Sequence, residues 1–349
     1  MTTSLYVIVA PGLEAVVASE LEALGFSDIE PGRGGVSCSG DAARANLHLR
    51  AATRVIERVA QFKATRFADL TRKVARVDWS PYGGLTPQAT CRKSRLYHTG
   101  AVEEAVAKAV PPGDGTLMVR IERDVCTLSV DTSGERLHRR GWRLETGHAP
   151  LRETLAAGLL SLADWSPSIP LYDPMCGSGT FLIEAATWAA GLPAGRLRSF
   201  ANSAAAVGGE APPCPEERHG WIAGSDRSGP AIQAARRNAE RAGVEGWLTM
   251  GNGEVGRITP PEGVPPGLLI CNPPYGRRVD AARHTMGRLK LALEGPFAPW
   301  RAAIFAPQKL MADGQAKAMW GRSISARHSI DNGGLKTVLL VLNQRTDPA

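Results

Sequence analysis

The sequence predicts an α/β protein in two parts: a larger carboxy-terminal region built on a mostly parallel, doubly wound sheet, and a smaller α+β region before it. Three observations carry this. From residue 168 onward, apolar strands alternate with amphipathic helices, the signature of parallel strands joined by helical crossovers. Before residue 135 the elements are short and end in strand pairs joined by polar turns. With 349 residues and 43% hydrophobic content, the chain is long enough for two cores.

In chain order, "LYVIVA" at 5–10 reads as a strand, and Glu14 to Leu24 as an amphipathic helix closed by Gly25. "GVSCSG" reads as a second strand, and 41–59 as a helix capped by Asp41. "AVEEAVAKAV" is helical, and "TLMVRIERDVCTLSVDTSG" makes two strands around a polar turn. Pro150 opens a helix over 151–163. Then follow strand "IPLYDPM", turn "CGSG", helix "TFLIEAATWAA", strand "WIAGSD", helix "GPAIQAARRNAERAGV" and strands "WLTMGN" and "GLLICN". Residues 193–219, rich in Ala, Gly and Pro, form a long loop, and "RAAIFAP" and "TVLLVLN" add two late strands.

No apolar run reaches the length of a membrane span, and the amino terminus lacks a basic region, so no signal peptide is expected. Six cysteines without a C-x-x-C pair point to reduced thiols and no zinc site. A cytoplasmic monomer without membrane or metal partners is the expectation. The net charge of +7 is concentrated: residues 50–100 hold eleven Lys/Arg against three acids. That stretch is either a solvated basic face or an electrostatic footprint for phosphates.

In an open parallel sheet, ligands sit beyond the carboxyl ends of the strands. Asp173 with "CGSG", Asp226 and "NPPY" all fall at such ends. Gly177 and Gly179 let main-chain N–H groups approach a ligand. The phosphate-loop pattern is absent, and Asp173 would repel a pyrophosphate but accept a cation or hydroxyl, as carried by S-adenosylmethionine. Asp226 suits a ribose diol, or else caps the helix from Pro230; Asn252 either meets the adenine edge or is a turn residue. In "NPPY", the Asn272 amide oxygen and a carbonyl of the stiff Asn-Pro-Pro turn can accept both N–H bonds of an exocyclic amine. Tyr275 offers a ring for stacking an extruded base.

"DPMCGSGTFLIEAA" with "NPPYG" resembles the class I S-adenosylmethionine-dependent methyltransferases that act on exocyclic amines. "SVDTSGERLHRRGWR" with "APLRETLAAGLL", "YVIVAPGLEAVVASELEALGF" and "SRLYHTGAVEEAVAKAV" are similar to the THUMP-containing RNA guanine-N2 methyltransferases. That family includes the amino-terminal catalytic half of the bacterial large-subunit ribosomal RNA enzyme and the related tRNA enzymes. The resemblance spans nearly the whole chain. It implies a ferredoxin-like unit at 1–60, a THUMP RNA-binding unit at 61–135 and a Rossmann-like methyltransferase domain at 136–349. It implies that Thr154, Asp173, Pro174, Cys176, Gly177, Gly179, Asp226 and Asn252 hold S-adenosylmethionine, and that Asn272, Pro273, Pro274 and Tyr275 hold a guanine. Structured RNA, ribosomal or transfer, would meet Arg72, Lys73, Arg76, Arg92, Lys93, Arg95 and Arg277. Asn252 stands where the family usually has Asp, and Arg277 where it usually has Glu. The expected reaction is methylation of guanine N2. The alternatives are N6-adenine or protein glutamine methylation, or a degenerate RNA-binding or ribosome-assembly protein.

Overall fold

The computed structural model describes residues 3–146, 151–201, 220–274, 279–311 and 320–345. Among these residues the chain forms two seven-stranded sheets. The first is built from β1 (Thr3–Val9), α1 (Glu14–Ala23), β2 (Ser27–Gly32), β3 (Gly35–Gly40), α2 (Ala42–His48), β4 (Ala52–Lys63), α3 (Phe67–Val74), β5 (Leu85–Arg92), α4 (Thr99–Ala107), β6 (Gly115–Glu122) and β7 (Val125–Asp131). Its strand order is β2-β3-β1-β4-β7-β6-β5, antiparallel except for the β5–β6 pair. The polar turn between β6 and β7 is Arg123-Asp124, both with positive φ (51° and 64°), as a tight hairpin requires.

The expected helix over 41–59 is half strand. Asp41 does cap α2, its Oδ1 accepting from Ala43 N at 2.8 Å, but the helix stops at His48. The backbone turns extended at Leu49 (ψ 126°), and the half-buried Glu20 carboxylate accepts from the Arg50 and Ala51 amides at 3.0 and 3.2 Å. Ala52–Lys63 then pairs with β1 on one side and β7 on the other. Thr53, Val55, Ile56 and Val59 suit that pleated surface, and two partner strands outweigh a local helical preference.

The second sheet is built from α5 (Glu153–Leu162), β8 (Leu171–Asp173), α6 (Thr180–Ala189), β9 (Ile222–Asp226), α7 (Gly229–Arg241), β10 (Leu248–Asn252), β11 (Leu268–Cys271), α8 (Val279–Glu294), β12 (Arg301–Pro307), β13 (Ile324–Asn332) and β14 (Leu335–Leu342). The order is β10-β9-β8-β11-β12-β14-β13, parallel through β12 and antiparallel beyond it. Strand β13 and helix α8 were not anticipated: "ISARHSIDN" and "VDAARHTMGRLKLALE" are too polar to stand out as apolar runs. Chain order reverses between β8 and β11, which makes their carboxyl ends the topological switch point.

One apolar core joins the first sheet to the second region, running from Leu5, Leu13 and Val17 to Leu155, Leu159, Phe181 and Ile183. Leu13 reaches α5 at Gly158, where a Cβ would lie 2.6 Å from the leucine Cδ1. A buried polar network crosses the same boundary. Arg140 Nε donates to Glu184 Oε1 at 3.1 Å, and its Nη2 donates to the Arg50 carbonyl at 2.5 Å. Arg50 in turn donates to the carbonyls of Thr187 and Leu192 at 3.2 and 2.5 Å. Both side chains of the Arg140–Glu184 pair are almost fully buried (1% and 2% exposed), so losing one leaves a buried charge alone. Arg140→Ala is expected to cost about 3–5 kcal/mol in a urea unfolding titration. A loss below about 1 kcal/mol would mean the network is incidental to the junction.

Candidate active site

The parallel strands bring the carboxyl ends of β8, β9, β10 and β11 to one edge, and a cleft of about 490 Å3 opens there. Its lining includes Asp173, Pro174, Cys176 and Gly177 after β8, Asp226 and Ser228 after β9, Gly253 and Glu254 after β10, and Asn272 and Pro274 after β11.

The turn after β8 is held by backbone bonds: Cys176 N donates to the Ser225 carbonyl at 3.0 Å, and Gly179 N to the Cys176 carbonyl at 2.8 Å. Gly177 and Gly179 both have positive φ (53° and 86°). A Cβ on Gly179 would also lie 3.1 Å from Ala235, so this glycine lets α6 start against α7. At Gly177 an added Cβ would meet open space, which leaves its side of the turn free for a ligand. The Gly177 amide donates to Asp226 Oδ2 at 3.0 Å, and Asp226 Oδ1 accepts from Ser228 N at 2.9 Å. Ser228, not Asp226, caps α7, its Oγ accepting from Ala231 N at 3.3 Å. Asp226 therefore sits in the cleft, between the glycine turn and α7.

Asp173 is 2% exposed and accepts one backbone hydrogen bond, from Met175 N at 3.0 Å. Burial pushes its carboxyl up to about 8; the Asp226 charge adds to this, and the Met175 N–H opposes it. Burial likewise holds the Cys176 thiol well above its usual range, so this cysteine is a neutral wall rather than a nucleophile. At the end of β11, the Asn272 Oδ1 is buried and has no hydrogen-bond partner among the described residues. Pro273 behind it is buried, and Pro274 is exposed on the cleft.

Of the residues singled out from sequence, Asp173, Pro174, Cys176, Gly177, Asp226, Asn272 and Pro274 line the cleft. Gly179, Pro273, Thr154 and Asn252 do not: Thr154 is buried in the first turn of α5, and Asn252 is exposed on β10 beside Asp226, its neighbour Gly253 taking the place at the cleft. Tyr275, Arg277, Pro150 and Cys214 lie outside the described residues. Sequence reasoning missed Arg143, Met175, Glu254, Val255 and Arg288. Arg143 and Met175 lie inside stretches quoted above but at positions given no role there, and the other three sit in no motif; Glu254, for example, joins the cleft while paired to Arg288 on α8 at 2.7 Å.

The basic stretch divides. Arg50 is half-buried in the domain junction, Arg54 pairs with Asp131, and Arg58 stacks over Tyr6 at 4.2 Å, so these three serve the fold. Arg72, Arg76, Arg92, Lys93 and Arg95 are exposed, with Arg72 paired to Asp69 at 2.6 Å. Lys73 Nζ donates to the Lys63 carbonyl at 2.7 Å. Sheet register sets Arg92 opposite Glu122, and Glu122 and Lys63 each opposite Val125, which gathers the basic residues at one sheet end. Tyr97 (78% exposed) and Phe67 (42%) belong to segments adjoining that end.

The Asp173 carboxyl makes stability depend on pH. Its folded-state value near 8 lies above the ordinary 3.8, so burial of the neutral acid favours folding most at low pH. That contribution is lost as pH rises from about 4 to about 8, and above 8 a buried charge opposes folding. Asp173→Asn cannot ionise. Its melting temperature is expected to exceed wild type above pH 8, with the gap closing as pH falls toward 4. A gap independent of pH would contradict the burial of this carboxyl.

Two domain families match the chain: an "RMKL-like, methyltransferase domain" over residues 140–323 and an "RlmL ferredoxin-like domain" over 4–56. A Synechocystis sp. protein provisionally named an RNA methyltransferase is 33% identical, the match covering 97% of this chain and 96% of that one. The Vibrio cholerae ribosomal RNA large subunit methyltransferase K/L is 34% identical over 78% of this chain, which is 44% of the Vibrio protein. Among solved structures, SMU.472, provisionally a methyltransferase and complexed with S-adenosylhomocysteine, superposes with a TM-score of 0.84 at 27% identity, over 99% of each chain. A Listeria monocytogenes protein described as a predicted N6-adenine-specific DNA methylase superposes with a TM-score of 0.82 at 28% identity, over 98% of this chain and 96% of that one. No helix among the described residues is long and apolar enough to cross a membrane. A match over half the chain, a relative at 33% identity along nearly all of it, and a cleft at the switch point of a parallel sheet agree: the chain belongs to the RMKL-like methyltransferase family, with an RlmL-type ferredoxin-like domain at its amino-terminal end.

Proposed function

We propose that this chain transfers a methyl group from S-adenosylmethionine to the exocyclic N2 amine of a guanine in structured RNA, ribosomal or transfer. The family membership makes it a methyltransferase that uses S-adenosylmethionine on RNA. The observation that supports an amine acceptor is the Asn272 Oδ1: buried, unpartnered among the described residues, and belonging to a residue that lines the same cleft as Asp173 and Asp226.

The chain's residues fit the donor. Asp226 keeps free lone pairs for a ribose diol, Gly177 leaves its side of the turn open, and Asp173 presents an acid to a cationic group. When bound, S-adenosylmethionine supplies an electrophilic methyl carbon on a sulfonium. Asn272 Oδ1 accepts one N–H of the target amine, and the Asn-Pro-Pro turn offers a carbonyl for the other. Holding both N–H bonds turns the nitrogen lone pair toward the methyl carbon, and the rigid prolines keep that aim. No dedicated base is required, because the amine loses its proton after transfer. Tyr275 is assigned to stacking the base, residues 61–135 to a THUMP unit, and the basic sheet end carrying Arg92 and Lys93 to RNA capture.

N6-adenine methylation is the second reading, favoured by the description of the Listeria structure. Nucleoside mass spectrometry on ribosomal and transfer RNA from a deletion strain separates the two. Loss of N2-methylguanosine is expected; loss of N6-methyladenosine instead would replace this reading. In the purified protein, Asn272→Ala is expected to lower transfer by at least about 100-fold with donor affinity kept within about threefold, measured by calorimetry. Equal loss of both would mean that Asn272 holds the donor rather than the base.

A further inference from the structure

The hairpin joining β13 to β14 stands on the working edge of the sheet but outside the cleft. Strand β12 runs parallel to β11, and β14 runs antiparallel to β12 with Thr337 opposite Pro307. The start of β14 is therefore at the carboxyl end of the parallel strands, two strand spacings, about 10 Å, to the side of β11 and Asn272. It lies on the side away from β9 and Asp226. Asn332 pairs with Leu335 across the turn Gly333-Gly334, both glycines with positive φ (64° and 91°). The turn is locked from two directions. Asp331 Oδ1 accepts from Gly334 N at 2.6 Å, and Asp331 N donates to the Pro11 carbonyl of the first region at 2.9 Å. A Cβ on Gly12 would run into the Ser329 carbonyl, so the loop after β1 lies tight against β13.

Leu335 is 44% exposed at this locked tip. A lone exposed leucine is ordinary on a surface, but this one is rimmed by cations. Lys336 follows it, and Arg152 Nη2 would lie 3.6 Å from a Cβ on Gly333. Lys309 stands in the short turn Gln308–Leu310 after β12, the strand between the hairpin and β11. All three cations are exposed, and among the described residues none is ion-paired. The carboxylate of Asp331 is spent on the turn itself. We propose that this hairpin enters the RNA beside the target guanine: Leu335 fills the gap that the extruded base leaves in its stack, and Lys309, Lys336 and Arg152 hold the adjoining phosphates. A base stack opened at one step offers an apolar slot between two anionic strand segments, the complement of an apolar tip among cations. Extruding a base costs its stacking, and a rigid wedge offsets part of that cost without being ordered first. The proposal rests on methyl transfer to RNA and adds to it the positioning residue that holds the RNA open.

The test uses purified protein, labelled S-adenosylmethionine, and folded ribosomal and transfer RNA from a deletion strain. A wedge acts after the RNA is captured, so Leu335→Ala is expected to lower kcat at least about fivefold while KM for RNA stays within about threefold. Its affinity for S-adenosylhomocysteine should match wild type by calorimetry. Leu335→Met keeps an apolar wedge of similar length and should restore most of the lost kcat. Lys336→Gln and Arg152→Gln should act on the other constant: each raises KM for RNA and lowers the slope of log KM against log salt by about one. A smaller loss of kcat in Leu335→Ala, or an equal loss in Leu335→Met, overturns the wedge. Salt slopes unchanged in both cation variants overturn the phosphate contacts. If Leu335→Ala instead alters the oligomeric state by gel filtration with transfer intact, the tip serves a protein contact and the proposal is wrong. Wild-type protein that methylates neither RNA overturns the RNA reading itself, and the role of the hairpin with it.

Discussion

A carboxyl group buried at the tip of a strand, with one backbone N–H for company, is the constraint around which this protein is arranged. Asp173 sits where the order of the parallel strands reverses, so every neighbouring strand end points at the space above it. Among the described residues it accepts one hydrogen bond, from Met175 N, which does not offset the loss of water, and burial pushes its carboxyl up to about 8. Asn272 Oδ1 repeats the pattern with different chemistry: an acceptor out of water and, among the described residues, without a partner. Such groups are destabilising alone and become favourable once a ligand of opposite character arrives. Under the proposed function, the acid and the acceptor are completed by different ligands.

The rest of the fold keeps those groups still. The glycine turn is tied to β9 through the Cys176 amide and to Asp226 through the Gly177 amide. Helix α6, which starts at Gly179, carries Glu184 and Thr187 into the junction with the first sheet. There Arg140 and Arg50 bind backbone carbonyls and a carboxylate from both regions. The sheet that carries Arg92, Lys93 and Arg95 is therefore mechanically joined to the helix behind the donor turn. An RNA held at that sheet end would be presented at a fixed distance from Asn272, which suits an enzyme that selects one nucleotide in a folded RNA.

The sequence was most informative where chemistry concentrates. Apolar strands ending in Asp173, Asp226 and Asn272 announced both the parallel sheet and its working edge, because burial on both faces leaves near-continuous apolar runs. The helix expected over 41–59 failed after His48, since pairing with β1 and β7 and the capture of two amides by Glu20 are long-range events with no local signature. Arg143 was illegible for a similar reason. Its place at the cleft beside Glu153 is a tertiary fact that the stretch "HRRGWR" does not itself announce. Likewise Arg50, Arg54 and Arg58 belonged to a basic run that charge left open between a solvated face and a phosphate footprint, and the fold uses them internally.

Proton release on donor binding tests this picture most directly. If the buried Asp173 acid is neutral in the free protein and ionises against a cationic ligand, S-adenosylmethionine binding at pH 7 should release about one proton. Calorimetric titrations in buffers of different ionisation enthalpy measure that number without any RNA present. A value near one is the expected result. A value of zero at pH 7 would show that Asp173 is already charged or stays away from the ligand, and the account of the cleft would fail with it.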